Sequence, residues 1–186
     1  MPSTQKSARD TVESMPARAA EIVREYGPFD GAANIGGVTH DGRRVWAAGG
    51  AKLVAFDPAS GEVACTIDCA AHAGTAFDGT YLYQIAESRI HKIDPATGAV
   101  MASIPAPGNG GDSGLAWAEG SLWVGQYRER KIHQIDPASG AVLERLEMPQ
   151  GVGLSGLESD GADLFYCGGG ASGKVRAVRR PKARSQ

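Results

Sequence analysis

The chain is poor in aromatic residues, with 3 tryptophans, 5 tyrosines and 4 phenylalanines in 186 residues, so its core is built mainly of small and aliphatic side chains. It has 3 cysteines, an odd number that does not make a disulfide framework. It has no run near the ~18 apolar residues of a membrane helix. Charge of one sign is also missing: 19 basic residues against 21 acidic ones leave −2, a poor footprint for nucleic acid. The stretch Met1 to Arg9 has no apolar core of a secretory leader. Together these absences lead us to expect a reduced, cytoplasmic protein without nucleic-acid or membrane partners.

What the chain has instead is glycine, 26 residues, with 10 prolines. That is about twice the usual ~7% for glycine and argues against a helical bundle. The excess belongs to a repeat. Asp57-Pro58-Ala59-Ser60-Gly61-Glu62-Val63 returns as Asp94-Pro95-Ala96-Thr97-Gly98-Ala99-Val100 and as Asp136-Pro137-Ala138-Ser139-Gly140-Ala141-Val142. A second marker precedes each and occurs a fourth time: Asp41-Gly42, Asp78-Gly79, Glu119-Gly120 and Asp160-Gly161. A short apolar strand follows each marker, as in Tyr81-Leu82-Tyr83 and Leu122-Trp123-Val124.

Each repeat reads as four short strands. In the second they are Gly74–Phe77, Tyr81–Ile85, Ile90–Ile93 and Ala99–Ile104. The acidic-Gly pair turns the first strand into the second, since glycine accepts a positive φ. The Asp-Pro loop turns the third into the fourth: proline presets φ, the aspartate caps the turn and glycine exits it. A four-stranded antiparallel unit of about 40 residues, repeated, is a β-propeller blade. The expected fold is therefore all-β, a β-propeller of about four blades over 20–178, at about 33–67, 71–105, 112–147 and 153–178. The last blade lacks its outermost strand, and residues 20–26 are placed to supply it. A helix is the rival there, because Ala8, Val12, Met15, Ala19, Ile22 and Tyr26 form a helical stripe. Residues 1–19 read as a polar or helical lead-in, and 179–186 as a solvated basic tail.

The run Glu21-Ile22-Val23-Arg24-Glu25-Tyr26-Gly27-Pro28-Phe29-Asp30, with Gly37-Val38-Thr39-His40-Asp41-Gly42, resembles the opening of plant-type glutaminyl cyclases. The repeat Lys92-Ile93-Asp94-Pro95-Ala96-Thr97-Gly98-Ala99-Val100 resembles streptogramin (virginiamycin B) lyases and the NHL or YVTN propellers. The cyclase resemblance implies a five-bladed ring closed by its first strand, against the four blades counted here. Ile35-Gly36 and Ala73-Gly74 stand where cyclases are expected to carry glutamine and glutamate; only Asp112 keeps an acid before its inner strand.

Strand direction sorts the loops into two faces. The acidic-Gly and Asp-Pro turns share one and are nearly uniform. The loops entering the inner strands, and those joining strands two and three, share the other and vary, as expected where a ligand is read. The entry loops supply Asn34, His72, Asn109, Asp112, Ser113 and Ser155; the joining loops supply Glu87, Gln126, Tyr127, Arg128 and Cys167. His72, Asp112 and Glu87 are the residue types that hold a divalent metal or act as base, acid and orienter. Asn34, Asn109, Ser113, Gln126, Tyr127, Arg128 and Ser155 are the candidate substrate contacts. The expected function is a lyase-, cyclase- or hydrolase-like enzyme acting on a small molecule in the central funnel. A non-catalytic ligand- or protein-binding propeller is the alternative, and oligomeric state is open.

Other features read as structure. His40 precedes a turn, and His91 and His133 lie in third strands. Cys65, Cys69 and His72 are too far apart across a blade to share zinc. Cys167 reads as a buried strand end, and Trp46, Trp117 and Trp123 as packing between blades. Gly168-Gly169-Gly170-Ala171-Ser172-Gly173 lacks the Gly-Lys-Ser/Thr ending of a phosphate loop.

Overall fold

The computed structural model describes residues 24–32, 34–168 and 175–181. Blade 1 holds β1 (Gly37–His40), β2 (Val45–Ala48), β3 (Gly50–Phe56) and β4 (Val63–Ala71). Blade 2 holds β5 (Thr75–Phe77), β6 (Leu82–Ala86), β7 (Arg89–Ile93) and β8 (Val100–Pro105). Blade 3 holds β9 (Asp112–Ala118), β10 (Ser121–Gln126), β11 (Lys131–Ile135) and β12 (Val142–Glu147). Blade 4 holds β13 (Leu157–Ser159), β14 (Leu164–Gly168) and β15 (Val175–Arg179). Each sheet is antiparallel and strictly sequential: three have four strands and the last has three. The fold is a four-bladed β-propeller without a helix among the described residues.

The turns work as their chemistry requires. In each Asp-Pro loop the aspartate Oδ1 accepts the amide two residues on, at 2.6 Å from Ala59, 2.8 Å from Ala96 and 3.0 Å from Ala138. The glycine amide closes back on the aspartate carbonyl, and Gly61, Gly98 and Gly140 take φ of 79°, 74° and 77°. Alternation then sends one face of each sheet forward to the next blade and the other back. Trp46, Leu53 and Ile67 of blade 1 pack on Leu82 and Ile93 of blade 2. Tyr83, Ile90 and Ile104 pack on Leu115, Val124 and Ile135, and Trp123 and Ile132 pack on Leu157, Phe165 and Cys167. The core is thus three inter-blade layers.

Two expectations need amending. β4 runs on to Ala71, past the expected end at 67, because Lys52↔Asp68 and Gly50↔Ala71 keep the long β3 paired. The start of the basic tail belongs to blade 4: Arg179 closes β15 with its side chain exposed, and the buried Arg180 side chain reaches Glu119 of blade 3 at 2.8 Å and the Ala162 carbonyl. Residues 182–186 lie outside the described residues, as do 1–23 and 169–174. Of the segment expected to close blade 4, only Arg24–Tyr26 is described, and it pairs with no described strand. It leans on blade 1 instead, with the Tyr26 ring 4.6 Å from that of Phe56 and Arg24 on the Pro58 carbonyl at 3.0 Å.

Candidate functional site

The inner strands approach one another through glycine. A Cβ on Gly37 would lie 2.7 Å from the Ala73 carbonyl oxygen, one on Gly74 2.4 Å from the Leu115 nitrogen, and one on Gly114 2.8 Å from the Leu157 nitrogen. Successive inner strands therefore touch backbone to backbone at their starts. A cavity of about 550 Å³ opens there, in the size range of small-molecule sites. Its walls are Ile35–Val38, Gly74–Thr75, Ser113–Leu115, Ser155–Glu158 and Tyr166. All four blades contribute, and the cavity lies on the face where the repeats differ.

The lining is mostly glycine backbone and aliphatic side chains, with a few polar groups. The Thr75 hydroxyl donates to the Tyr83 carbonyl at 3.2 Å, and that of Ser113 reaches the Gly125 and Leu154 carbonyls at 3.0 and 3.1 Å. Those two hydroxyls hold the strands together. Glu158 and Tyr166 are cross-strand partners on the side of blade 4 facing away from blade 3. Solvent reaches Glu158, but surrounding protein desolvates its carboxylate and pushes the pKa up, against one bond from the Ser159 amide at 2.9 Å.

Of the expected site residues, Ser113 and Ser155 line this cavity; the others do not. His72 is exposed just beyond β4, and Glu87 is exposed in the β6–β7 turn with φ of 56°. Asp112 is buried at the start of β9, accepting from Gln126 Nε2 at 3.1 Å and from the Gly108 amide at 2.9 Å. Burial raises its pKa, opposed by those bonds and by His133. Gln126 is buried in the same contact. Asn34, Asn109, Tyr127 and Arg128 are exposed on loops. Among the described residues no group of three or more His, Cys, Asp or Glu is gathered as a metal would need, and His72, Glu87 and Asp112 are not brought together. Cys65, Cys69 and Cys167 are free, and burial raises the pKa of Cys167. His133 is buried with both ring nitrogens unpartnered among the described residues, and burial lowers its pKa.

Sequence reasoning missed Thr75, Glu158 and Tyr166. A signal for Glu158 was present. Strand register makes it the counterpart of Thr39, Ala76 and Ala116, so it is the one charged residue in that row.

No protein-family description and no curated protein sequence matches the chain. Solved structures do. U3-55K aligns with a TM-score of 0.60 at 18% identity, over 79% of this chain and 49% of its own. The WD40 repeats of RRP9 align with a TM-score of 0.58 at 18% identity, over 77% of this chain and 47% of theirs. The chain thus spans about half the length of those two. Glutaminyl cyclase from Myxococcus xanthus aligns with a TM-score of 0.61 at 16% identity, over 78% of this chain and 73% of that one. At such identities the likeness is one of fold. The chain is a small β-propeller of the kind that glutaminyl cyclase and the WD40 proteins share.

Proposed function

We propose that the protein is a ligand-binding propeller that takes a small, partly apolar molecule into the central cavity. The observation that supports this is the cavity of about 550 Å³ on the variable face, walled by all four blades and carrying aliphatic surface beside a few polar groups. Ile35, Val38, Leu115 and Leu157 supply the apolar contact. Ser155, Glu158 and Tyr166 supply polar groups for orientation. A fragment library screened by ligand-observed NMR tests the reading, with Ser155→Trp as the variant that fills the cavity mouth. Fragments should compete for one site and lose binding in the variant. Binding that persists in Ser155→Trp, or no binding at all, overturns it.

A second reading, an acid–base enzyme of lyase, cyclase or hydrolase type, is favoured by one observation. Glu158 stands in the cavity wall with its pKa raised by burial, the direction a general acid or base needs near neutral pH. Here Glu158→Gln should abolish turnover of any substrate found while leaving its binding within a few fold. A metal-assisted form using His72, Glu87 and Asp112 requires those three to converge, and that is not the arrangement here.

A further inference from the structure

The side chains of the central cavity accept hydrogen bonds far better than they donate them. Among the described residues lining it, Glu158 carries the one formal charge, and no lysine, arginine or histidine stands in the wall. Thr75 and Ser113 each commit the hydroxyl hydrogen to a main-chain carbonyl, so what they can turn to a ligand is oxygen lone pairs. The hydroxyls of Ser155 and Tyr166 can accept as well. Main-chain donors at the strand starts are also taken: the Gly36, Gly74 and Ser155 amides donate to the carbonyls of Ala48, Ser113 and Gly168, at 2.8, 3.0 and 2.7 Å. A carboxylate or phosphate brought here would meet a like charge and no cation among the described residues. Glu158 has an oxygen to offer. Its Oε1 accepts the Ser159 amide at 2.9 Å, the one hydrogen bond it makes among the described residues, which leaves Oε2. Its cross-strand partner Tyr166 lines the same wall and is 44% exposed, and the face of such a ring attracts cations.

We propose that the ligand of this cavity is a primary ammonium on a compact apolar body. This rests on the ligand-binding reading and narrows it to one chemical class. An ammonium has three donors and no acceptor, which is the complement of a wall rich in acceptors. One N–H donates to Glu158 Oε2, a charge-assisted bond, beside the Tyr166 ring. The others have the hydroxyl oxygens of the wall to go to. The apolar body lies against Ile35, Val38 and Leu115. The cation also answers a cost carried by the protein alone: surrounding protein strips water from the Glu158 carboxylate and raises its pKa, and a bound positive charge replaces that lost solvation. Selectivity then comes as a difference between head groups. A neutral alcohol of the same shape keeps the apolar contact and loses the ion pair, while a carboxylate faces Glu158 as a like charge.

The test uses three probes that share a phenyl ring and differ in the head group: 2-phenylethylamine, 2-phenylethanol and 3-phenylpropanoate. Each is titrated into the full chain at pH 7, where the amine is protonated, with binding read by calorimetry and ligand-observed NMR. The amine should bind about tenfold tighter than the alcohol or better, and the carboxylate should not bind. Glu158→Gln, with an unchanged far-UV circular dichroism spectrum, should remove the preference and bring the amine to the affinity of the alcohol. Glu158→Lys should reverse it, taking the carboxylate in place of the amine, which keeps the test valid if either variant alone fails to fold. Ser155→Trp should block all binding. An alcohol or carboxylate that binds the parent as tightly as the amine, and is displaced in Ser155→Trp, overturns the proposal while the ligand-binding reading stands. An amine preference that survives both Glu158 substitutions overturns it too. So does failure of all three probes to bind, and the fragment screen then decides whether the ligand-binding reading falls with it.

Discussion

At the residue scale, Asp41 shows how one side chain anchors a turn. Its carboxylate accepts the Arg43 amide at 2.9 Å, the Arg44 amide at 2.6 Å, the Trp46 indole at 2.8 Å and the Arg44 Nε at 3.0 Å. Burial pushes its pKa up, but these bonds outweigh that and hold it at about 2, below the ordinary 3.8. The folded state therefore binds fewer protons here than the unfolded chain. The stability from Asp41 is complete above about pH 4 and is lost as pH falls through 2. Asp57, Asp94, Asp136 and Asp160 are shifted the same way, each chiefly by hydrogen bonds at its own turn. Asp41→Ala should cost about 2–3 kcal/mol in urea unfolding at pH 7, because it strands buried donors. It should also flatten the acid limb of the stability curve between pH 4 and 2. A variant as stable as the parent at pH 7 would mean that water replaces the carboxylate without loss.

At the element scale, the blades were legible because their turns are written in residues with few other uses. Aspartate followed by proline and, three residues after the proline, by glycine dictates its own hydrogen bonds, so strand edges in blade 2 fell within a residue of those expected. Blade 1 was less legible. Cys69-Ala70-Ala71 carries no alternation, and only the length of β3 extends β4 that far. The glycines at the starts of the inner strands carry no turn signal, and three of them are required by close approach. Gly74→Ala puts a methyl 2.4 Å from the Leu115 nitrogen and 2.7 Å from the Gly114 carbonyl carbon, where backbone has no room to give. We expect a loss of about 3 kcal/mol or more, at the top of the range for overpacking, and an apparent midpoint too low to measure if two blades part. Gly156→Ala meets nothing among the described residues and should leave the circular dichroism spectrum unchanged. Equal behaviour of the two variants would contradict the packed junction.

At the scale of the whole molecule, the sequence located a face but not a site. Variation among equal repeats marks the funnel, and Ser113 and Ser155 are found there. It does not say which polar groups turn inward, since that depends on register: Asp112 is consumed by Gln126 and Gly108 one step from the cavity. Nor does it separate a basic tail from a clamp. Arg180 looks like its neighbours in sequence, yet it bridges blades 3 and 4 through Glu119 and the Ala162 carbonyl, with its guanidinium 5.9 Å from the centroid of Phe165. Blade 4 has only three described strands, so this bridge carries weight that a fourth strand carries elsewhere. Arg180→Ala should lower stability by about 1–3 kcal/mol, the range for a charged hydrogen bond lost from a buried site. Blades 1 and 2 make no contact with that guanidinium, so the loss should be uneven. Hydrogen exchange of β14 and β15 amides should accelerate most, while β6 and β7 keep their protection. Uniform acceleration across all four blades would show instead that the propeller opens as one unit, with Arg180 contributing to the whole.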